Sequence, residues 1–167
     1  MDDRSFHAAG LRFSCKRCSS CCRHESGFVF LSENDLSRLA NEFKMDYTDF
    51  IAAWCRWVPF ERGSERLSLK EKSSFDCIFW NSSERAAAPS EGATRREGCT
   101  VYHARPLQCR AFPFWDSIMC SPEAWETAGR YCPGIRSGDL HGEDEINGFL
   151  RLMEEETIIE RVREYLC

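Results

Sequence analysis

Eleven cysteines stand in this chain of 167 residues, and four of them crowd into Cys15-Lys16-Arg17-Cys18-Ser19-Ser20-Cys21-Cys22. Sulfur chemistry therefore constrains the fold more than any other feature. Clustered thiols have three uses: a disulfide framework, a metal or iron–sulfur site, or inert packing. Disulfides belong to oxidising compartments, which a chain reaches through an apolar leader. The opening Met1-Asp2-Asp3-Arg4-Ser5-Phe6-His7 is acidic and polar instead. An odd count also leaves one thiol over. The expectation is a cytoplasmic protein whose cysteines bind metal. With 22 Lys plus Arg against 27 Asp plus Glu, the net charge of −5 gives no bulk attraction to nucleic acid or anionic lipid. No apolar run nears the ~20 residues of a membrane-spanning helix. A 43% hydrophobic share and this length fit one folded domain, with or without a tail.

The spacing C-x2-C-x2-C-C carries the chemistry. Two intervening residues let a tight turn bring two thiolates onto one ion or one cluster edge. Three cysteines at this period match the first three ligands of the bacterial ferredoxin run, whose fourth cysteine precedes a proline. Cys132-Pro133-Gly134 offers that fourth ligand from far downstream. Neighbouring side chains diverge, so Cys21 and Cys22 are expected to serve different sites. Cys77, Cys99 and Cys109 are the remote candidates for the second. Eight thiols suffice for two four-thiolate sites. One partition is Cys15, Cys18, Cys21 and Cys132 against Cys22, Cys77, Cys99 and Cys109. Iron–sulfur and zinc sites use the same ligand type. The ferredoxin spacing and the Cys-Pro pair favour one or two 4Fe–4S clusters; zinc is the alternative.

Polar neighbours have both readings. Arg105 and Arg110 flank Cys109, where they stabilise thiolate charge, bind an anion or merely pair with carboxylates. His24 and His103 are candidate ligands or donors to ligands, whereas His7 and His141 carry no signal. Tyr102 and Trp115 are expected to pack around the site. There is no G-x-S-x-G and no phosphate-cradling glycine loop, so no catalytic constellation is identifiable.

Several ordered motifs resemble the YkgJ-type cysteine-cluster family, described as zinc- or iron-chelating proteins with a CxxCxxCC motif. They are Phe13 through Cys22, Leu67-Ser68-Leu69-Lys70, Cys77-Ile78-Phe79, Cys99-Thr100-Val101-Tyr102, Arg105 through Phe114, and Cys132-Pro133-Gly134, spanning about residues 13–135. The resemblance implies metal or cluster binding. The family's recurring cysteines fall on Cys15, Cys18, Cys21, Cys22, Cys77, Cys99, Cys109 and Cys132. Cys55, Cys120 and Cys167 lie outside that pattern: Cys120 is a reserve ligand, and the other two are expected to pack or face solvent. A related cysteine module in flagellin lysine N-methylases keeps a protein-modifying role in view, although this chain is short for that module plus a sizeable catalytic domain.

The expected fold is a small single α+β domain, with short helices and a small antiparallel sheet organised around cysteine-ligated metal. Residues 1–12 read as a polar arm, 13–135 as the metal-binding domain, and 136–167 as a helical extension packed on it. Residues 81–98, rich in Ser, Ala, Glu and Arg, read as a solvated insertion. Gly27–Leu31 reads as a strand, and Ser32-Glu33-Asn34-Asp35 opens a helix carrying Leu36, Leu39 and Phe43. A second helix follows Asp46 and runs to Pro59, with Trp54, Trp57 and Val58 on its apolar face. Arg66–Lys70, Cys77–Trp80 and Cys99–Tyr102 read as strands, the last two able to pair around the insertion. Pro106 and Ser121-Pro122 suit helix starts, and Glu143–Leu166 reads as one long helix. Ordering such loop-rich segments costs ~1–2 kcal/mol per residue, and a thiolate metal site returns ~10–16 kcal/mol. The metal-free protein is therefore expected to be partly unfolded around residues 13–24 and 99–134. The functional expectation is electron transfer, redox sensing, or metal or cluster handling with a protein or electron-transfer partner. The alternatives are a zinc-stabilised interaction module and a protein-modifying enzyme.

Overall fold

Residues 6–82 and 98–162 are described in the computed structural model. In chain order the elements begin with β1 (Leu11–Phe13), α1 (Glu33–Phe43), α2 (Tyr47–Trp54), β2 (Cys55–Pro59) and β3 (Ser64–Leu69). Next come β4 (Trp80–Asn81), β5 (Gly98–Cys99), α3 (Leu107–Ala111), α4 (Asp116–Met119) and α5 (Pro122–Tyr131). The last are β6 (Ile135–His141), α6 (Glu143–Glu155) and β7 (Glu160–Val162). The mixture of short helices and small antiparallel sheets is the α+β class expected from sequence. The chain divides into two compact units: residues 1–21 with 107–156, and residues 22–106 with 157–167. Among the described residues no helix is long and apolar enough to cross a membrane.

In the second unit, Ser32 starts α1 as read from sequence, its Oγ accepting the Asp35 N–H at 3.1 Å. The helix buries Leu36, Leu39 and Ala40 and stops at Lys44, which turns left-handed at φ 53°. Asp46 caps α2 in the same way, accepting the Asp49 N–H at 2.9 Å. The helix does not continue to Pro59. It ends at Trp54, and Cys55–Pro59 forms β2, paired antiparallel with β3 in the register Cys55↔Leu69 to Pro59↔Glu65. A stripe of Trp and Val serves a helix face or a strand equally well, and the partner strand decides. Lys70 seals the break by donating its Nζ to the Ala52 and Ala53 carbonyls at 2.7 and 2.9 Å.

The 27–31 segment runs beside β3, with the Leu31 N–H on the Leu67 carbonyl and the Leu69 N–H on the Val29 carbonyl, both at 3.0 Å. Only Phe30 forms a formal bridge there, to Ser68. The expected Cys77–Trp80 and Cys99–Tyr102 strands shorten to Trp80–Asn81 and Gly98–Cys99, which pair antiparallel as the ends of a hairpin. Tyr102–Ala104 is a 3-10 turn. The central part of the insertion, 83–97, lies outside the described residues. This unit's core is built on Leu31, Leu39, Phe50 and Leu67, all fully buried, with Phe79 packed against Phe43 and Trp54. Burying each such side chain contributes about 1.5–3 kcal/mol.

In the first unit, β1 pairs with β6 from Leu11↔His141 to Phe13↔Ile135, with a register shift between Arg12 and Phe13. Neither strand is evident in the sequence, because β1 is short and β6 contains Gly138. His7, silent in the sequence, is buried and bonds Asn147 Oδ1 through Nε2 at 3.0 Å. Ser121 caps α5 with Pro122 in the first turn. Ile146 of α6 is fully buried, and Phe114 stacks on Trp125 and Phe149 at ring separations of 6.1 and 5.7 Å.

The long C-terminal helix ends early, at Glu155 rather than Leu166. Thr157-Ile158-Ile159 is a β-branched run, which helices tolerate poorly and strand pairing favours. That stretch belongs to the second unit, where Ile158 bridges Ser32 and Glu160–Val162 pairs with β3. Residues 163–167, including Cys167, lie outside the described residues.

Candidate metal centre

The first unit holds Cys15, Cys18, Cys21 and Cys132, together with Cys109 and Cys120. Cys15, Cys18 and Cys21 are exposed. Between them Arg17 and Ser19 take left-handed conformations, φ 53° and 64°. These are uncommon for residues with a Cβ, and they make the loop turn twice within one motif. The Cys18 thiol lies 3.4 Å from the Ser20 hydroxyl.

What fixes the start of this loop is β1 against the turn after α5. The Ser14 N–H donates to the Gly134 carbonyl at 3.3 Å, and the Ser14 hydroxyl donates to Asp139 Oδ2 at 3.0 Å. The Asp139 N–H returns a bond to Ser14 Oγ at 2.9 Å, and Arg12 Nη1 reaches the Gly138 carbonyl at 2.8 Å. His141 Nε2 bonds the Phe13 carbonyl at 3.0 Å, while its Nδ1 lies 2.9 Å from Glu145.

Only glycine permits this approach. A Cβ on Gly134 would stand 2.5 Å from the Ser14 carbonyl oxygen and 2.9 Å from the Phe13 ring. One on Gly138, whose φ is +82°, would stand 2.1 Å from Ser14 Oγ.

Cys132 caps α5 and is half-buried. Burial pushes its thiol above the ordinary value, the Gly134 and Ile135 N–H groups pull it back, and Cys18 and Cys21 push it up again. Two N–H donors on a cysteine sulfur are the environment a thiolate ligand uses to spread its charge. Cys109 lies half-buried on α3, beside a turn where Trp115 Nε1 donates to the Gln108 carbonyl at 2.8 Å. Cys120 is exposed, its thiol on the Ser117 carbonyl at 3.3 Å.

The second unit holds Cys22, Cys77 and Cys99, all half-buried, and Cys55, which is buried. The Cys77 N–H donates to the Cys22 carbonyl at 2.8 Å, and the Trp80 N–H donates to the Cys77 carbonyl at 2.9 Å. Trp80 faces Cys99 across the β4–β5 ladder. Burial pushes the Cys77 thiol up; the Phe79 and Trp80 N–H groups and Lys72 lower it, and Cys99 raises it. Cys55 is pushed up to about 12 by burial, against the pull of Lys70, and stays a neutral packing thiol.

His24 and His103 are exposed. Arg105 lays its guanidinium 3.7 Å from the Tyr102 ring centre and donates Nε to the Tyr102 carbonyl at 2.9 Å. Among the described residues no three Cys, His, Asp or Glu side chains converge closely enough to hold a metal ion. Soft thiolates nevertheless suit zinc and iron–sulfur clusters, and the close-packed Gly134 turn brings Cys132 to the start of the cysteine loop. The sequence reading missed Gly138, Ser14 and Asp139; a glycine six residues after Cys132 was the available signal.

A family described as "Putative zinc- or iron-chelating domain", with the motif CxxCxxCC, matches residues 14–133. An uncharacterized protein of Methanocaldococcus jannaschii is 24% identical over 149 residues, which cover 86% of this chain and 69% of that relative. No solved structure matches the chain.

Proposed function

This chain belongs to the CxxCxxCC family of zinc- or iron-chelating domains, and from that premise we propose that it carries iron in a cysteine-ligated cluster of the 4Fe–4S kind. Cys15, Cys18, Cys21 and Cys132 would hold this cluster, their side chains drawn together as it binds. Cys22, Cys77 and Cys99 supply a second thiol set, and Cys109 completes the eight candidate ligands. The role is electron transfer, redox sensing or cluster handling with a protein partner, in a reducing cytoplasm. When bound, such a cluster supplies one-electron chemistry. The chain's own part is to turn the 15–21 loop through Arg17 and Ser19, and to hold Cys132 beside it by the Ser14–Gly134 and Ser14–Asp139 bonds.

One observation carries the reading: the main-chain bond from the Ser14 N–H to the Gly134 carbonyl, with the close approach that a bare Gly134 allows, brings Cys132, distant in sequence, to the start of the cysteine loop. Together with ferredoxin-like spacing this supports a cluster over a lone ion. Anaerobic purification followed by iron, zinc and acid-labile sulfide analysis tests it. The expected result is brown protein with near-equal iron and sulfide and a visible band bleached by dithionite. Cys15→Ser and Cys132→Ser should each lose that band. Colourless protein with stoichiometric zinc and no sulfide overturns the cluster and leaves a zinc-stabilised interaction module.

A further inference from the structure

Arg23 directly follows Cys22, and Asp76 directly precedes Cys77. In the fold these two charged neighbours meet: Arg23 Nε donates to Asp76 Oδ1 at 3.2 Å, and Asp76 is buried. Ser74 Oγ donates to the other carboxylate oxygen at 2.8 Å, so both oxygens are engaged. The Arg23 guanidinium also lies 3.7 Å from the Trp80 ring centre, and the Lys72 ammonium lies 5.5 Å from it. Lys72 Nζ bonds the Trp80 carbonyl as well. One aromatic ring thus collects two cations, one of which is anchored to a carboxylate.

This arrangement clamps main chain that already binds itself. The Cys77 N–H sits on the Cys22 carbonyl at 2.8 Å, and the next stretch of the loop is tied down by Glu71, which accepts from Ser26 Oγ at 2.9 Å and the Gly27 N–H at 3.2 Å. Arg56 joins both sides, bonding Glu71 at 3.0 Å and the Gly27 carbonyl at 3.0 Å. Directly opposite residues of an antiparallel pair project to one face, with Cβ atoms about 4.5–5.5 Å apart. Trp80 is opposite Cys99. The backbone segments that carry Cys22, Cys77 and Cys99 are therefore tied to one another around Arg23, Asp76 and Trp80 through contacts that need no metal.

We infer that Arg23, Asp76 and Trp80 are positioning residues for the Cys22–Cys77–Cys99 thiol set: they fix its backbone in advance, so that a thiophilic divalent cation has only to draw in the three side chains, and Trp80 reports the binding. This rests on the second thiol set named under the proposed function. The clamp spares the set most of the backbone ordering cost that an unstructured ligand loop carries.

The full chain carrying Cys15→Ser, Cys18→Ser and Cys21→Ser removes the loop thiols of the first set and keeps this one. Reduced and titrated with cobalt(II) alone, it should bind with thiolate-to-cobalt charge-transfer absorption and a fall in tryptophan fluorescence. Trp80→Phe in that background should keep the absorption and lose the fluorescence change. Arg23→Ala should weaken cobalt binding roughly 10–100-fold, and Arg23→Lys, which keeps a cation for Asp76 and Trp80, should recover most of it. If circular dichroism shows Arg23→Ala unfolded, Asp76→Asn carries the same expectation. Unchanged affinity in the folded Arg23→Ala or Asp76→Asn protein overturns the positioning role, as does a fluorescence change that survives Trp80→Phe. Cobalt binding that survives Cys22→Ser and Cys77→Ser overturns the thiol set itself. Neither outcome depends on whether the unmutated protein yields iron and sulfide, so the two proposals fail separately.

Discussion

The two thiol sets are built in opposite ways. Cys15, Cys18 and Cys21 come from seven consecutive residues, stand exposed, and are ordered by a loop that twice enters left-handed backbone. Cys22, Cys77 and Cys99 come from three separate segments, are half-buried, and are joined by main-chain bonds and a ladder pair. Ligands close in sequence need only a turn, and ordering that turn can be left to the metal. Ligands far apart need the fold to be complete first. The difference teaches that one run of cysteines can begin as a loop open to solvent and end at a residue whose backbone the fold already holds. The expected unfolding of metal-free protein around 13–24 then falls unevenly, on the residues before Cys22 more than on Cys22 itself.

The largest perturbations test whether each set depends on its own unit's core. Phe50→Ala, at a fully buried position of the second unit, and Phe114→Ala, at 2% exposure in the first, should each cost about 3–5 kcal/mol. Denaturant melts give the totals. Amide exchange should show the Phe50 variant opening residues 71–80 and the Phe114 variant opening residues 132–141; the reverse pattern breaks the comparison.

A smaller effect sharpens the first set alone. Gly138→Ala forces a Cβ against Ser14 Oγ at a left-handed position, and should cost about 2–4 kcal/mol. It should also separate Cys132 from the cysteine loop, which a lower metal affinity at unchanged second-set cobalt binding would reveal.

The smallest effect is on the second set and comes from acid. Hydrogen bonds from Ser26 hold Glu71 below its ordinary 4.5, and those from Ser74 hold Asp76 below its ordinary 3.8, with Gly27, Arg56 and Arg23 assisting. A carboxylate depressed by folding stabilises at pH values above its unfolded pKa, and that contribution fades as pH falls through the folded value. Between pH 5 and 3 the protection of the 71–77 amides, taken against each amide's intrinsic exchange rate at the same pH, should therefore fall before the global melt. Protection that stays constant across this range removes the carboxylates from the clamp.

Caps and local motifs were legible in the sequence because their physics is local. Ser32 and Asp46 start helices, Ser121-Pro122 starts another, and the ends of the insertion pair as a hairpin. What escaped is settled by partners far along the chain. Trp57 and Val58 follow a helical stripe yet become a strand because Ser64–Leu69 offers a matching edge. Ile158 and Ile159 continue an apolar period yet leave the helix because Ser32 and Leu31 lie waiting. At the site, spacing names the cysteines, but it does not say that Gly138 must be bare for Ser14 to pass. Nor does it pair Arg23 with Asp76, although each flanks a cysteine and carries the opposite sign.

Cys55 has a practical consequence for work on the thiols around it. Its sulfur is walled into the core of the second unit, with ionisation deferred to about pH 12. A colorimetric sulfhydryl assay on native, reduced protein therefore leaves that group silent at neutral pH, and denaturant unmasks it. The increment serves as a built-in gauge of how much of a preparation was folded when the reagent was added.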